Sequence, residues 1–197
     1  MDSLPAARPG PVRSVCVFCG ARDGADPAFA AAAGQLGASV ARAGLDLVYG
    51  GGSAGLMGRV ARAASAHRGR VIGVIPKFLL PREGASADID ELIEVETMHE
   101  RKRIMFERAD AFIALPGGVG TLDELIEQMV WGQLGRHAKP IVLIDVKGFW
   151  APLLTLLANM RDQGFLHDLQ PRVFRIAADA QEAVALATEG GAPAARA

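Results

Sequence analysis

Short apolar runs of strand length alternate with helical segments along nearly all of this 197-residue chain, and nothing between them reads as a hairpin. Ser14 to Cys19, Leu45 to Tyr49, Arg70 to Ile75, Leu92 to Glu96, Ala111 to Leu115, Pro140 to Ile144 and Val173 to Ile176 read as strands. Helices are expected from Pro27 to about Ala43, Leu56 to His67, Thr97 to Arg108, Leu122 to near Gly135, Phe149 to Arg161 and Asp179 to Thr188. Lys77 to Asp90, with Pro81 and Gly84, reads as a loop with one helical turn. Strands joined only through helices must run parallel, and a parallel sheet is covered on both faces. The pattern predicts an α/β fold, a Rossmann-like doubly wound parallel sheet in a single domain over residues 13–189. Residues 1–12 and 190–197 read as frayed tails. In such folds ligands sit at the carboxyl ends of the strands.

The most informative of those ends is Leu115-Pro116-Gly117-Gly118-Val119-Gly120-Thr121-Leu122-Asp123-Glu124. It lies between a strand and a helix start, where free backbone N–H groups and the helix dipole favour an anion such as phosphate. Glycine there lets the backbone approach a phosphate closely. Glu124 is then awkward, because a carboxylate beside a bound phosphate repels it. One explanation is chemistry. The other is local, since Thr121 and Glu124 have the T-x-x-E spacing of a capping box. The loop lacks the Lys-Ser/Thr ending of a Walker site, so it does not imply a magnesium nucleotide.

Gly50-Gly51-Gly52-Ser53-Ala54-Gly55 also fits G-x-G-x-x-G, but it follows the second strand, and the next strand ends at Ile75-Pro76-Lys77 without the acid that would hold a dinucleotide ribose. It reads as a tight structural turn or as an additional wall of a mononucleotide site, through Gly51, Gly52 and Ser53. His99-Glu100-Arg101-Lys102-Arg103 places cations at a helix start, where the dipole disfavours them. Either a phosphate attracts them or they form a solvated face.

Other chemistries are poorly supported. Formal net charge is -1, which favours neither nucleic acid nor an anionic membrane as partner. No apolar run reaches the ~18 residues of a membrane span, and the amino terminus is no signal peptide, so a cytoplasmic protein is expected. His67, His99, His137 and His167 have no metal-ligand spacing, and no metal is expected. Ser53 lacks the setting of a hydrolase nucleophile. Cys16 and Cys19, three apart on a strand, face opposite sides and read as two buried thiols.

With these residues in view, the chain resembles the LOG (Lonely Guy) family of cytokinin riboside 5′-monophosphate phosphoribohydrolases. The likeness rests on Pro116 to Glu124 as the family's P-G-G-x-G-T-x-x-E, and on Met98-His99-Glu100-Arg101-Lys102 as its upstream basic motif. It extends to Val17-Phe18-Cys19-Gly20, Tyr49 to Gly58 and Trp131 to Gly135. The resemblance implies hydrolysis of the N-glycosidic bond of an adenosine-type 5′-monophosphate, N6-modified or AMP itself, without a cofactor. It implies Arg101 and Glu124 as catalytic residues. It implies nucleotide contacts from Glu83, Arg101, Lys102 and the stretch Gly117, Gly118, Val119, Gly120, Thr121 and Glu124. It also implies a homodimer, with which the broad apolar surface of Leu122 to Leu134 is compatible. Val130 departs from the threonine common at that ligand-side position. A lysine decarboxylase label carried by some relatives would need a Schiff-base lysine, and none of Lys77, Lys102, Lys139 and Lys147 has a distinctive setting. The alternative to an enzyme is a nucleotide-binding carrier or regulatory module on the same fold.

Overall fold

The computed structural model describes residues 11–84, 89–166 and 173–189, with the side chain of Arg82 left aside. The expected tails therefore lie outside the described residues, apart from Pro11 and Val12, and so does His167. Val12 packs on the core.

The strands are β1 (Ser14–Phe18), β2 (Asp46–Tyr49), β3 (Val71–Pro76), β4 (Glu91–Val95), β5 (Ala111–Ala114), β6 (Ile141–Ile144) and β7 (Arg175–Ala177). Between them lie α1 (Pro27–Arg42), α2 (Gly55–Ala66), α3 (Leu80–Glu83), α4 (Met98–Arg108), α5 (Val119–Gln133), α6 (Ala151–Asp162) and α7 (Ala180–Glu189). The sheet order is β4-β3-β2-β1-β5-β6-β7 and every pairing is parallel. The chain winds outward from β1 to β4, crosses back to β5, then winds the other way. The switch point lies between β1 and β5, and a crevice opens beyond their carboxyl ends, as the doubly wound topology requires.

Alternation along β1 shows how the sheet divides its core. Val15, Val17 and Cys19 join a cluster with α1, α2 and α7, while Cys16 and Phe18 join one with α4, α5 and α6. The thiols thus face opposite sides, both free and buried. On the first side the Ala-rich α1 packs hard on α2: a Cβ at Gly37 would collide with the Val60 carbonyl.

Two helix starts bear on the site. At α4, Thr97 accepts from the Glu100 N–H and Glu100 accepts from the Thr97 N–H, a complete capping box. At α5 the capping box that the Thr121 and Glu124 spacing offers as the alternative reading does not form. That helix begins at Val119, three residues before the expected Leu122, with Gly118 as its N-cap and no side-chain cap. Thr121 and Glu124 lie inside it, and its first turn contains no acid. Lys77 to Asp90, read as a loop, holds a 3-10 turn at Lys77–Leu79 and the short α3, which carries Glu83 toward the crevice.

Candidate functional site

The carboxyl ends of β1, β2 and β5 open on a cleft of about 550 Å³, within the size range of small-molecule sites. Its floor is the glycine loop after β5, where Pro116, Gly117, Gly118, Val119, Gly120 and Thr121 all line it. A Cβ at Gly117 would collide with the Thr121 side chain, so packing alone demands glycine there. Gly118 and Gly120 differ: an added Cβ at either meets nothing within 4 Å. Both line the cleft, so a methyl at either would project into space that the protein itself leaves open.

Glu124 and Arg101 meet in this cleft. Glu124 is 8% exposed and Arg101 6%, so both ionisable groups are withdrawn from water. Arg101 donates through Nε to the Val74 carbonyl at 3.1 Å and through Nη2 to the Gly50 carbonyl at 3.0 Å, and Nη1 faces the Met98 sulfur. Burial pushes the Glu124 carboxyl up to about 7, against the nearby Arg101 charge, which pulls it down. A charged form in so dry a site is costly, and that cost places the group where it can exchange a proton near neutrality. The same burial raises both thiols, Cys16 and Cys19, so they stay protonated.

The basic cluster at the start of α4 divides. Arg101 turns inward and His99 is exposed. Arg103 pairs with Glu107 at 2.8 Å on the outer face. Lys102 is held by Asp123 and Glu127, each at 3.1 Å, and is not among the residues lining the cleft. It acts on Glu124 only through its field, offsetting Asp123. Its amine faces α5.

In the glycine run after β2, Gly50 lines the cleft, but Gly51, Gly52 and Ser53 do not. Gly51 and Gly55 have φ of 78° and 57°, as tight turns need. The run is a bracket for two site residues. Gly50 accepts from Arg101, while the backbone N–H and the hydroxyl of Ser53 both donate to the Glu83 carbonyl, at 3.2 and 2.8 Å. Glu83 itself lines the cleft, and its buried Oε2 has no hydrogen-bond partner among the described residues. Val130 lies on the exposed face of α5 and not in the cleft.

Several lining residues are not singled out as site residues by the sequence. Arg22 and Asp23 come from the loop after β1, Phe29 from α1, Met57 from α2, Met98 from α4, and Phe149 precedes α6. The lysines are all engaged elsewhere. Lys77 pairs with Glu96, Lys102 with Asp123 and Glu127, and Lys147 with Asp26, while Lys139 lies over the Phe106 ring. None lines the cleft, so it offers no lysine for a Schiff base. Among the described residues no group of His, Cys, Asp and Glu is arranged to hold a metal ion, and no helix is long and apolar enough to cross a membrane.

Comparison with known proteins adds sequence kinship to this geometry. The family model described as "Possible lysine decarboxylase" matches residues 57–187. Solved structures with the same fold include the molybdenum cofactor binding protein of Rippkaea orientalis (TM-score 0.66, 22% identity, covering 88% of this chain and 94% of that one). The Moco carrier protein of Chlamydomonas reinhardtii is another (TM-score 0.67, 21% identity, 90% and 96%). At such identities the likeness concerns the fold alone. Sequence relatives are far nearer. The probable cytokinin riboside 5′-monophosphate phosphoribohydrolase LOG4 of Oryza sativa subsp. japonica is 47% identical over 93% of this chain and 80% of its own. The cytokinin riboside 5′-monophosphate phosphoribohydrolase LOG7 of Arabidopsis thaliana is 49% identical over 87% and 79%. With identity of this size across most of both chains, and with the glycine loop, Arg101 and Glu124 gathered in one cleft, the chain belongs to the LOG family of cytokinin riboside 5′-monophosphate phosphoribohydrolases.

Proposed function

We propose that this protein hydrolyses the N-glycosidic bond of an adenosine-type 5′-monophosphate, releasing the free base and ribose 5-phosphate. The observation that carries the reading is Glu124, a buried carboxylate in the phosphate-loop cleft that no capping role consumes. As the bond from C1′ to the base nitrogen breaks, its electrons leave with the base and positive charge grows on the ribosyl carbon and ring oxygen. Glu124, ionised, offsets that charge and takes a proton from the attacking water. The hydroxyl bonds to C1′ and the proton passes to the departing base. Gly117 to Thr121 and the start of α5 hold the phosphate end. Arg101 is a positioning residue: its donors fix Gly50 and β3, and its charge opposes the burial that raises the Glu124 carboxyl.

The names of the relatives support an N6-modified adenine base, and AMP is the simplest substrate of the same class. Leu122, Val130, Trp131 and Leu134 leave an apolar stripe exposed along α5, which supports pairing with a second copy of this chain. A carrier without turnover would need only the fold and the glycine loop, and it leaves a buried carboxylate beside the phosphate unexplained.

The test is incubation of purified protein with AMP, N6-isopentenyl-AMP and the matching nucleoside, with free base followed by chromatography. Release from the monophosphates alone supports the reading. Tight nucleotide binding without base release supports the carrier.

The open space at Gly120 gives a prediction with two opposite signs. Gly120→Ala fills no occupied volume and replaces glycine inside a helix, so the fold should gain a few tenths to about 1 kcal/mol. The same methyl obstructs the phosphate, so KM for AMP should rise roughly tenfold or more. Thermal denaturation and steady-state kinetics on one preparation check both. Unchanged KM would remove the loop from phosphate binding.

A further inference from the structure

Two cations line the cleft, Arg22 and Arg101. Arg101 has spent two of its nitrogens on the Val74 and Gly50 carbonyls. Arg22 is exposed and engages in no hydrogen bond or ion pair with the described residues. Its flexible side chain nevertheless stands on a fixed base. The Gly20 N–H donates to the Pro116 carbonyl at 3.1 Å, and the Met57 N–H donates to the Gly20 carbonyl at 3.3 Å. A Cβ at Gly20 would lie 3.1 Å from the Arg22 carbonyl oxygen and 3.3 Å from the Gly117 Cα, and one at Gly55 would collide with the Ala21–Arg22 peptide. The backbone of Arg22 is therefore clamped between the start of α2 and the glycine loop.

Charge makes the placement matter. A bound 5′-monophosphate brings about −1.5 to −2 at neutral pH, and the start of α5 offers only about +0.5. Glu83 and Glu124 line the same cleft and oppose an anion. Asp23, beside Arg22, does not neutralise it: Arg59 holds both oxygens of Asp23, at 2.7 and 3.0 Å. We propose that Arg22 is the phosphate-binding cation of the cleft, reaching over Gly117 to Thr121 from the loop after β1, and that it makes the site demand a 5′-monophosphate. The proposal rests on the hydrolytic reading above for its kinetic test, and on ligand binding alone for a second.

The experiment compares the wild-type full chain with Arg22→Gln and Arg22→Lys. Arg22→Gln should raise KM for AMP and the inhibition constant of ribose 5-phosphate together, each by roughly 10- to 100-fold for a lost charge-assisted pair. Its kcat should stay within a few-fold of wild type. Arg22→Lys should recover part of both losses, because it restores the charge without the bidentate fork. The exposed side chain leaves thermal stability unchanged, which separates binding from folding. Unchanged KM and inhibition constants in Arg22→Gln would overturn the proposal, and so would a fall in kcat at constant KM. Should the wild type release no base, the hydrolytic reading fails by itself. Calorimetric titration with AMP then decides on Arg22: weaker binding by Arg22→Gln supports the role, and equal binding overturns it.

Discussion

Glu124→Gln is expected to slow base release by about 10²- to 10⁴-fold and to make the protein more stable at alkaline pH. The activity loss follows from removing the charge that opposes the ribosyl cation and the base that takes the proton of water. The stability gain follows from linkage. The folded protein holds this carboxyl at about 7 because it is buried, against an ordinary 4.5 in the unfolded chain. Between these values the folded state binds the extra proton. Stability contributed by that proton is fully present below about 4.5 and is lost as pH rises through about 7. Above that, the wild type bears a penalty of the order of 3 kcal/mol that glutamine never incurs. Urea denaturation at pH 5 and pH 8 should show the two proteins close at the lower pH and the variant ahead at the higher. The wild-type rate should rise with pH through about 7 as Glu124 ionises. The substrate phosphate titrates lower, near 6, and the variant should keep that limb while losing the other. Near-normal turnover by Glu124→Gln would end the catalytic assignment, and lower stability at pH 8 would contradict the burial argument.

Arg101→Met should be the most destabilising of the site substitutions. It removes a cation that is 6% exposed and leaves the Val74 and Gly50 carbonyls without their donors. Leaving a buried carbonyl without its donor costs about 1–3 kcal/mol for each. Glu124 also loses the charge that draws its carboxyl down. The remaining activity should therefore be low and shifted to higher pH. Arg101→Lys separates the two effects. Its compact ammonium restores a charge for Glu124 but cannot span both carbonyls, so the pH shift should be reduced while much of the stability loss persists. Equilibrium unfolding and a pH-rate profile measure each quantity. A fold within 1 kcal/mol of wild type for Arg101→Met would mean that the carbonyls find other donors.

The sheet was legible because periodicity is local: Val15 to Phe18 and Ala111 to Ala114 are apolar on both faces, as a central parallel strand must be. The capping box at Thr97 and Glu100 was legible for the same reason. The start of α5 was not. Gly118 caps it without a side chain and Gly120 sits inside it, so the side-chain rule pointed to Thr121 and Glu124 instead. The helix begins earlier, and the extra turn is what carries Glu124 from a capping position into the cleft. Adjacent Arg101 and Lys102 look alike in sequence. About 100° of rotation per residue separates them on the helix, and packing decides which one is buried. The run after β2 matched a ligand motif, yet Gly50 holds Arg101 and Ser53 holds Glu83, because exposed backbone groups suit a bracket as well as a phosphate. Arg22, Met57 and Phe149 join the cleft only through tertiary folding.

The pairing of β1 with β5 carries a consequence for the order in which this protein comes into being. Ser14 is tied to Asp110, which lies 96 positions further along the chain, at the base of the two strands that carry the site. The loop with Arg22 and the bracket at Gly50 belong to an amino-terminal stretch that can assemble early from near neighbours. The phosphate loop and Glu124 arrive from the far side of the switch point, after a long closure that slows folding. A nascent chain that has not yet reached β5 carries both arginines but neither the loop nor the carboxylate. No half-made protein can therefore do the chemistry, and the first turnover marks the moment when the two windings of the sheet have met.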